Sequence, residues 1–416
     1  MRLDIVQYVS VLLALLLYGL FGQPTPDNVG IVEIIIAALL LLGAGVHGLS
    51  AVFVNARSAD APPRPAWFGA GQVFAVFGLS VPLFMALAGG ADLKEAARDL
   101  IAFGFLLLPL LYVHLFRDAR GFRRLFMFGV VFIGVAFAAR IFLPLVLPQF
   151  GLPSAVALYL TITPAVLFAA LYLLAASFLR ISWRRGDVVY NVFYGLFAAL
   201  IALLPIFALS YALQRASFAA LVVFAIAGLF YILLYRPETA LRLVGLLAVL
   251  VFAFLPQLLD IIMRLELKHV QVGFNSRGAE LAAVFALGTR DIGHFLFGHG
   301  WGALFENPAV GKMQVGYTHN LFSYYFFKTG LMGTALLIIY WGAIFHENIR
   351  LVRINLPLGL SLMLPILISS FFYASHKAFS FGLLLLLVCA IMRRRGDAPS
   401  ASTVERGCVL VYSKNA

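Results

Sequence analysis

Residues 188–213 read VVYNVFYGLFAALIALLPIFALSYAL, an apolar run without a single charged side chain. An α-helix rises about 1.5 Å per residue, so about 20 such residues cross the roughly 30 Å hydrocarbon core of a bilayer. A helix on the surface of a soluble protein carries a polar face, and this stretch has none. The run is also continuous where a strand of an outer-membrane barrel would alternate. It therefore reads as a membrane-spanning helix.

Similar runs recur near residues 5–21, 29–54, 67–90, 99–116, 122–147, 155–179, 217–235, 240–259, 318–345, 355–373 and 378–392. Together they predict an all-α polytopic membrane protein of about twelve transmembrane helices. The composition agrees: 63% of the 416 residues are hydrophobic and 12% are charged, against about 25% charged in a soluble domain. A mean hydropathy of +0.99 leaves only lipid to cover such a surface. Soluble enzymes, secreted scaffolds and disordered chains are excluded. The 39 phenylalanines and 36 glycines suit helices that pack closely without water.

The net charge of +12 would suggest nucleic acid if the cations were not so placed. With the N-terminus inside, one side of the membrane collects Arg2, Arg57, Arg64, Arg117, Arg120, Arg123, Arg124, Arg180, Arg184, Arg185, Arg236, Arg242, Arg350, Arg353 and Arg393 to Arg395. The short loops of the other side hold only Lys94, Arg98, Arg215 and Lys377. The positive-inside rule then places both termini in the cytoplasm, and the basic charge is a consequence of topology with no nucleic-acid partner implied. Cys389 lies in the last span and Cys408 in the tail, in no disulfide or metal spacing. The first span lacks a signal-cleavage pattern and is expected to be retained. The chain thus divides into one transmembrane domain, residues 1–392, and a short polar tail, 393–416, expected to be disordered and cytoplasmic.

One loop is long. Residues from about 260 to 317, between the ninth and tenth spans, face the extracytoplasmic side and hold charged residues, paired glycines, histidines and aromatics. Its segments DIIMRLELKHV and GFNSRGAELAAVFALGTRDIGHF have the composition of short interfacial helices. A loop of this length in an otherwise minimal chain points to function.

Arg215, in LQRASF, is an outer-face cation at a tight turn, and Arg277, in NSRGAE, lies in the long loop. Each alone reads as an arginine snorkelling to lipid phosphates; together, two guanidiniums on one side could grip a diphosphate bidentately and neutralise it as a leaving group. His319 opens the tenth span, where an imidazole can take a proton from a sugar hydroxyl near neutral pH. At about 100° per residue Lys328 falls about 180° from His319, which argues against one shared site. Glu280, three residues from Arg277, is the best-placed acid, with an i to i+3 salt bridge as the plainer account. Trp301, in the glycine-alternating stretch GHGWG at 298–302, could stack on a sugar or anchor at the interface. Arg140 and Lys328 are cations inside spans and hence candidates for paired or functional roles. His294, His299 and His319 are too loosely spaced to predict a zinc site, and no metal is expected.

At these residues the chain resembles the O-antigen ligase and polymerase superfamily of bacterial envelope glycosyltransferases. LQRASF around Arg215 resembles the family's Ser-Arg-Gly-Ala turn, with Gln214 in the place of the serine; NSRGAELAAVFALG around Arg277 resembles its second arginine segment. His319 and Asn320, followed by Gly330 and Gly333, match its HN(x)9GxxG element, the most specific of the three. The motif-bearing part covers roughly residues 213–333.

The resemblance implies a GT-C-like fold in the bacterial inner membrane with a periplasmic active site. It implies metal-independent, cofactor-free transfer of a glycan from an undecaprenyl-diphosphate carrier, Arg215 and Arg277 holding the diphosphate and His319 assisting the acceptor hydroxyl. The ligase branch, with lipid A-core as acceptor, is the first expectation. Polymerisation of O-antigen or exopolysaccharide repeat units, with a growing polysaccharide as acceptor, is the alternative. A lipid-linked oligosaccharide flippase or other transporter is the alternative of another class, and would favour inverted repeats and broken helices around a midplane site.

Overall fold

The computed structural model describes residues 2–24, 30–53, 64–116, 120–146, 154–182, 188–235, 255–272 and 276–396, with scattered positions between 236 and 254. The predicted ninth span, 240–259, lies mostly outside the described residues, as do the tight outer loop after residue 147 and the tail beyond 396.

The described chain is helical almost throughout. In order it forms α1 (Arg2–Phe21), α2 (Ile31–Phe53), α3 (Ala66–Ala88), α4 (Leu93–Leu106), α5 (Leu108–Tyr112), α6 (Arg120–Val146), α7 (Ser154–Ile162), α8 (Pro164–Ser182), α9 (Val188–Tyr211) and α10 (Arg215–Tyr235). Then follow α11 (Leu255–Val272), α12 (Arg277–Gly288), α13 (Ile292–Phe297), β1 (Phe305–Asn307), β2 (Met313–Val315), α14 (Leu321–Ile354), α15 (Leu356–Phe371) and α16 (Phe379–Gly396). The long loop is thus folded, with three helices and a small antiparallel hairpin in which Asn307 faces Met313.

Among the described residues 7 helices are long and apolar enough to cross a membrane, or 9 if each of two bent pairs counts as one span. The apolar parts of α15 and α16, Leu356–Phe371 and Phe379–Arg393, are shorter. The chain is a multi-pass helical membrane protein, but two expected straight spans are broken. The chain bends by 55° between α4 and α5 and by 47° between α7 and α8. Prolines explain both: Pro109 lies in the first turn of α5 and Pro164 opens α8, and neither can donate back to the preceding helix. Two further breaks fall at glycines with positive φ, Gly45 (φ 59°) in α2 and Gly330 (φ 64°) in α14.

In hydrocarbon a carbonyl released by such a break needs an internal partner. The bundle supplies one at both glycine breaks and at the α4–α5 bend, while between α7 and α8 the local hydroxyls of Thr161 and Thr163 donate to the Leu158 and Leu160 carbonyls (2.7 and 2.8 Å). Gln7 Nε2 donates to the Ala44 carbonyl (3.4 Å), Tyr340 Oη to Leu106 at the end of α4 (2.8 Å). Inside α3, Pro82 has no N–H for the Gly78 carbonyl; the Trp301 indole donates to it instead (2.8 Å), while the Trp301 amide reaches the Pro82 carbonyl (3.2 Å). At the Gly330 break the amides of His299 and Gly300 donate to the carbonyls of Phe327 and Lys328 (2.9 Å each). The GHGWG segment is therefore a backbone plug between α3 and α14.

Trp301 is 0% exposed, ringed by Phe103 and Tyr325, so it is a core residue and neither stacks on a sugar nor anchors at an interface. Around it Phe74, Phe103 and Tyr325 tie α3, α4 and α14 together. The remaining helices pack as α1 on α2 and α6, α8 on α6, α9 and α15, and α10 on α15.

Two substitutions test this accounting. W301F keeps an aromatic ring but leaves the Gly78 carbonyl without its donor and gives up part of the packed volume; we expect a loss of at least about 1–3 kcal/mol, visible as a lower thermal midpoint in detergent. G330A should cost at least as much, because a Cβ would lie 2.5 Å from Gly298 N and the Leu296 carbonyl in a conformation that L residues rarely adopt. Wild-type midpoints in both would contradict the plug.

Candidate functional site

The turn that carries Arg215 is set by local backbone geometry. Leu213 takes a left-handed conformation (φ 49°), and the Gln214 amide donates to the Leu209 carbonyl (3.2 Å), closing α9 with the 6→1 bond of a Schellman cap. Buried Gln214 then reaches Thr161 at the end of α7 (3.5 Å), and Arg215 becomes the first residue of α10. Tyr373, just beyond α15, is hydrogen-bonded to Ser217 in that same first turn.

Arg277 opens α12 after Ser276, which is also left-handed (φ 52°). Its guanidinium is half-buried and its buried Nε has no hydrogen-bond partner among the described residues. Burial pulls its pKa below the ordinary arginine range; the nearby Tyr373 and Glu280 oppose this, and the charge of Arg215 adds to it. The two arginines and Tyr373 are thus within electrostatic reach of one another.

One turn along α12, Glu280 is 3% exposed. The expected surface salt bridge with Arg277 is replaced by a buried contact: Glu280 accepts from His319, Nδ1 lying 3.2 Å from Oε1 and the backbone amide 3.1 Å from Oε2. Asn307 Nδ2 donates to the same Oε1 (2.5 Å), while the Asn307 Oδ1 is occupied by the Ala309 amide (2.8 Å). Burial alone would raise the Glu280 pKa; the hydrogen bonds and charge of His319 and the bond from Asn307 outweigh it and hold the carboxyl below its ordinary range. Glu280 is therefore a carboxylate at neutral pH.

His319 does not lie on the tenth span's helix. Asn320 is the N-cap of α14, its Oδ1 accepting from the amides of Phe322 (2.8 Å) and Ser323 (3.3 Å), so His319 lies in a bend just outside the cap. The helical-wheel separation of His319 from Lys328 has no meaning there, and the break at Gly330 disturbs it further. An ionised Glu280 can only accept, so Nδ1 of His319 carries the proton and, in the neutral ring, Nε2 keeps its lone pair. The side chain is 22% exposed, enough to meet a substrate at one edge.

The structure therefore brings together Arg215, Arg277, Glu280, His319 and the cap Asn320. It separates the other candidates. Lys328 is fully buried, 2.6 Å from Asp99 and bonded to the Ala303 carbonyl (2.5 Å). Arg140 donates to the Gly22 carbonyl at the end of α1 (2.8 Å) and lies over the Phe137 ring. His294 pairs with Asp291 and stacks on His299 (4.2 Å); among the described residues no three His, Cys, Asp or Glu gather into a metal-binding group. Asn307 and Tyr373 are site residues that sequence reasoning missed. The cluster of Tyr373, His376 and Lys377 between two apolar spans was the available signal for one; nothing local marks Asn307.

No protein-family model matches the chain, and no curated protein matches its sequence.

The cluster joins two capacities: a carboxylate-oriented imidazole that can take and return a proton, and two cations, one with an unsatisfied N–H, that can hold an anion. E280Q should destabilise the protein at pH 7 by about 1.5–3 kcal/mol, the range for a hydrogen bond to a charged group, read as a lower thermal midpoint. Because Glu280 is depressed when folded, its contribution is full above the ordinary glutamate value of about 4.3 and fades as pH falls through the lower folded value. The gap between wild type and E280Q should close in that acid window; a gap unchanged there would refute the carboxylate assignment.

Proposed function

We propose that this chain is a metal-independent glycosyltransferase of the O-antigen ligase type, moving a glycan from an undecaprenyl-diphosphate carrier to a hydroxyl of lipid A-core. In this reading it lies in the bacterial inner membrane, with about twelve spans of GT-C-like arrangement, both termini cytoplasmic and the site at the periplasmic face. The observation that carries the reading is the unpartnered buried Nε of Arg277, within the field of Arg215, one helical turn from the Glu280–His319 pair. A lipid-linked diphosphate fits that combination: its tail stays in the bilayer and its charged group meets two guanidiniums at the edge.

The step follows from the groups present. The acceptor hydroxyl approaches His319 Nε2 and gives up its proton as its oxygen attacks the anomeric carbon. The carbon–oxygen bond to the diphosphate breaks, and its electron pair leaves on the phosphate oxygen held by Arg215 and Arg277. The imidazolium so formed is stabilised by Glu280, to which Nδ1–H already points. General-base assistance contributes about 10²–10⁴-fold and each well-placed cation or donor about 10²–10³-fold.

A second reading keeps one observation in its favour. Broken helices at Gly45 and Gly330 suit a transporter of lipid-linked oligosaccharide. Transport needs no proton acceptor at His319, so the two readings separate by mutation.

R215A, R277A and H319A should each insert normally and lose transfer by about 10²-fold or more, scored by gel analysis of envelope glycans in a strain lacking the native gene. Bare core with polymer left on the carrier supports the ligase. Core bearing single repeat units indicates a polymerase, and unchanged lipopolysaccharide with lost capsule or slime indicates an exopolysaccharide enzyme. Glycan arriving at core in H319A at the wild-type rate would remove the mechanism.

A further inference from the structure

A second charged cluster lies beneath the site. Asp99 of α4 is buried and accepts from four groups on three other segments: Lys328 Nζ (2.6 Å) and Tyr324 Oη (2.7 Å) of α14, the Gly302 amide of the plug (2.9 Å), and Lys377 Nζ (3.3 Å). One carboxylate thus faces two ammonium groups. The adjacent Glu95 and Arg98 neutralise each other at 2.5 Å. Burial, and then the charge of Lys377, push His376 down to about 3, so that ring is neutral and adds no charge. Among the described residues the cluster keeps one surplus cation.

The two lysines are not equivalent. Lys328 has the short contact to Asp99 and the Ala303 carbonyl as well, and its side chain is 0% exposed. Lys377 shares an oxygen already taken by Tyr324, at the longer distance, and among the described residues otherwise meets only the Tyr324 ring face (5.1 Å). Its side chain is 11% exposed. An ammonium has three N–H bonds, so Lys377 is the cation with donors to spare. It belongs to the short turn Ala374–Lys377, preceded by Tyr373, which contacts Ser217 and feels Arg277, and containing His376, which feels His319. The turn is thus within electrostatic reach of Arg277 at one end and of the imidazole at the other.

We propose that Lys377 is a third cationic ligand for the diphosphate, serving the charge that appears when the glycosidic bond breaks. The inference rests on the reading above. A glycan-linked diphosphate diester carries two negative charges, matched by Arg215 and Arg277. Cleavage leaves the bonding electron pair on the phosphate oxygen, so the departing lipid diphosphate gains a third. Lys377 shares its counter-ion Asp99 with Lys328, so the cluster's surplus positive charge is matched only when the third negative charge appears, and binding stronger at the transition state than before it raises the rate of the chemical step.

The experiment compares farnesyl diphosphate with farnesyl monophosphate as probes on the full-length protein in nanodiscs, for wild type, K377M and K377R, with thermal midpoints read in parallel. We expect K377M to weaken the diphosphate about tenfold or more and to leave the monophosphate nearly unchanged, with K377R close to wild type. Its midpoint should stay level or rise, because Asp99 keeps Lys328, Tyr324 and Gly302 and the cluster becomes neutral. A Lys377 that is only a structural counter-ion predicts the reverse: a lower midpoint with unaltered diphosphate affinity, which would overturn the proposal. Should K377M fail to fold, K377Q carries the same comparison. If wild type binds neither probe, the diphosphate reading itself falls; if wild type and K377M bind the diphosphate equally, only the role of Lys377 does.

Discussion

A backbone carbonyl in hydrocarbon has no water to turn to, and the architecture of this protein follows from that. Its helices are broken at prolines and at Gly45 and Gly330, and each break releases carbonyls into the bundle. Their donors come from far away in sequence: Gln7 for α2, Tyr340 for α4, Trp301 for α3, and the amides of His299 and Gly300 for α14. An unsatisfied buried acceptor costs about 1–3 kcal/mol, so these contacts oblige the segment 298–302 to sit between α3 and α14.

The site inherits its geometry from that obligation. The plug runs into β1, whose Asn307 meets Glu280; Glu280 in turn holds His319 against the N-cap of α14. Asp99 and Lys328 clamp the same plug through Gly302 and Ala303. A loop that would otherwise be free to wander is tied at several points to rigid helices. Side chains held this way have little conformational freedom left to lose.

Electrostatically the cluster is divided in two. The upper part pairs a buried carboxylate with an imidazole and sets Arg277, whose buried Nε has no partner among the described residues, within the field of Arg215. The lower part pairs Asp99 with Lys328 and leaves Lys377. Among the described residues both parts hold more cationic than anionic side chains, in a setting where unmatched charge is expensive.

By itself the sequence determined that the chain is a helical multi-pass membrane protein, because the length and uniform apolarity of runs such as 188–213 are local properties. It also singled out Arg215, as a cation at a short outer turn, and Arg277 and His319, in and just after the long loop, because all three fall in the segments that carry the family resemblance. It misjudged residues whose roles depend on distant partners. Glu280 read as the partner of Arg277 but belongs to His319, 39 positions away. Trp301 read as an exposed aromatic but answers a carbonyl freed by Pro82. Lys328 was placed by a helical wheel that assumed an unbroken helix starting at His319. Asn307, Tyr373, Asp99 and Lys377 carry no local signature of their contacts. Only the tertiary structure decided these, since hydrogen bonds and charge pairs between segments depend on where broken helices bring their ends together, and no periodicity along the chain records that.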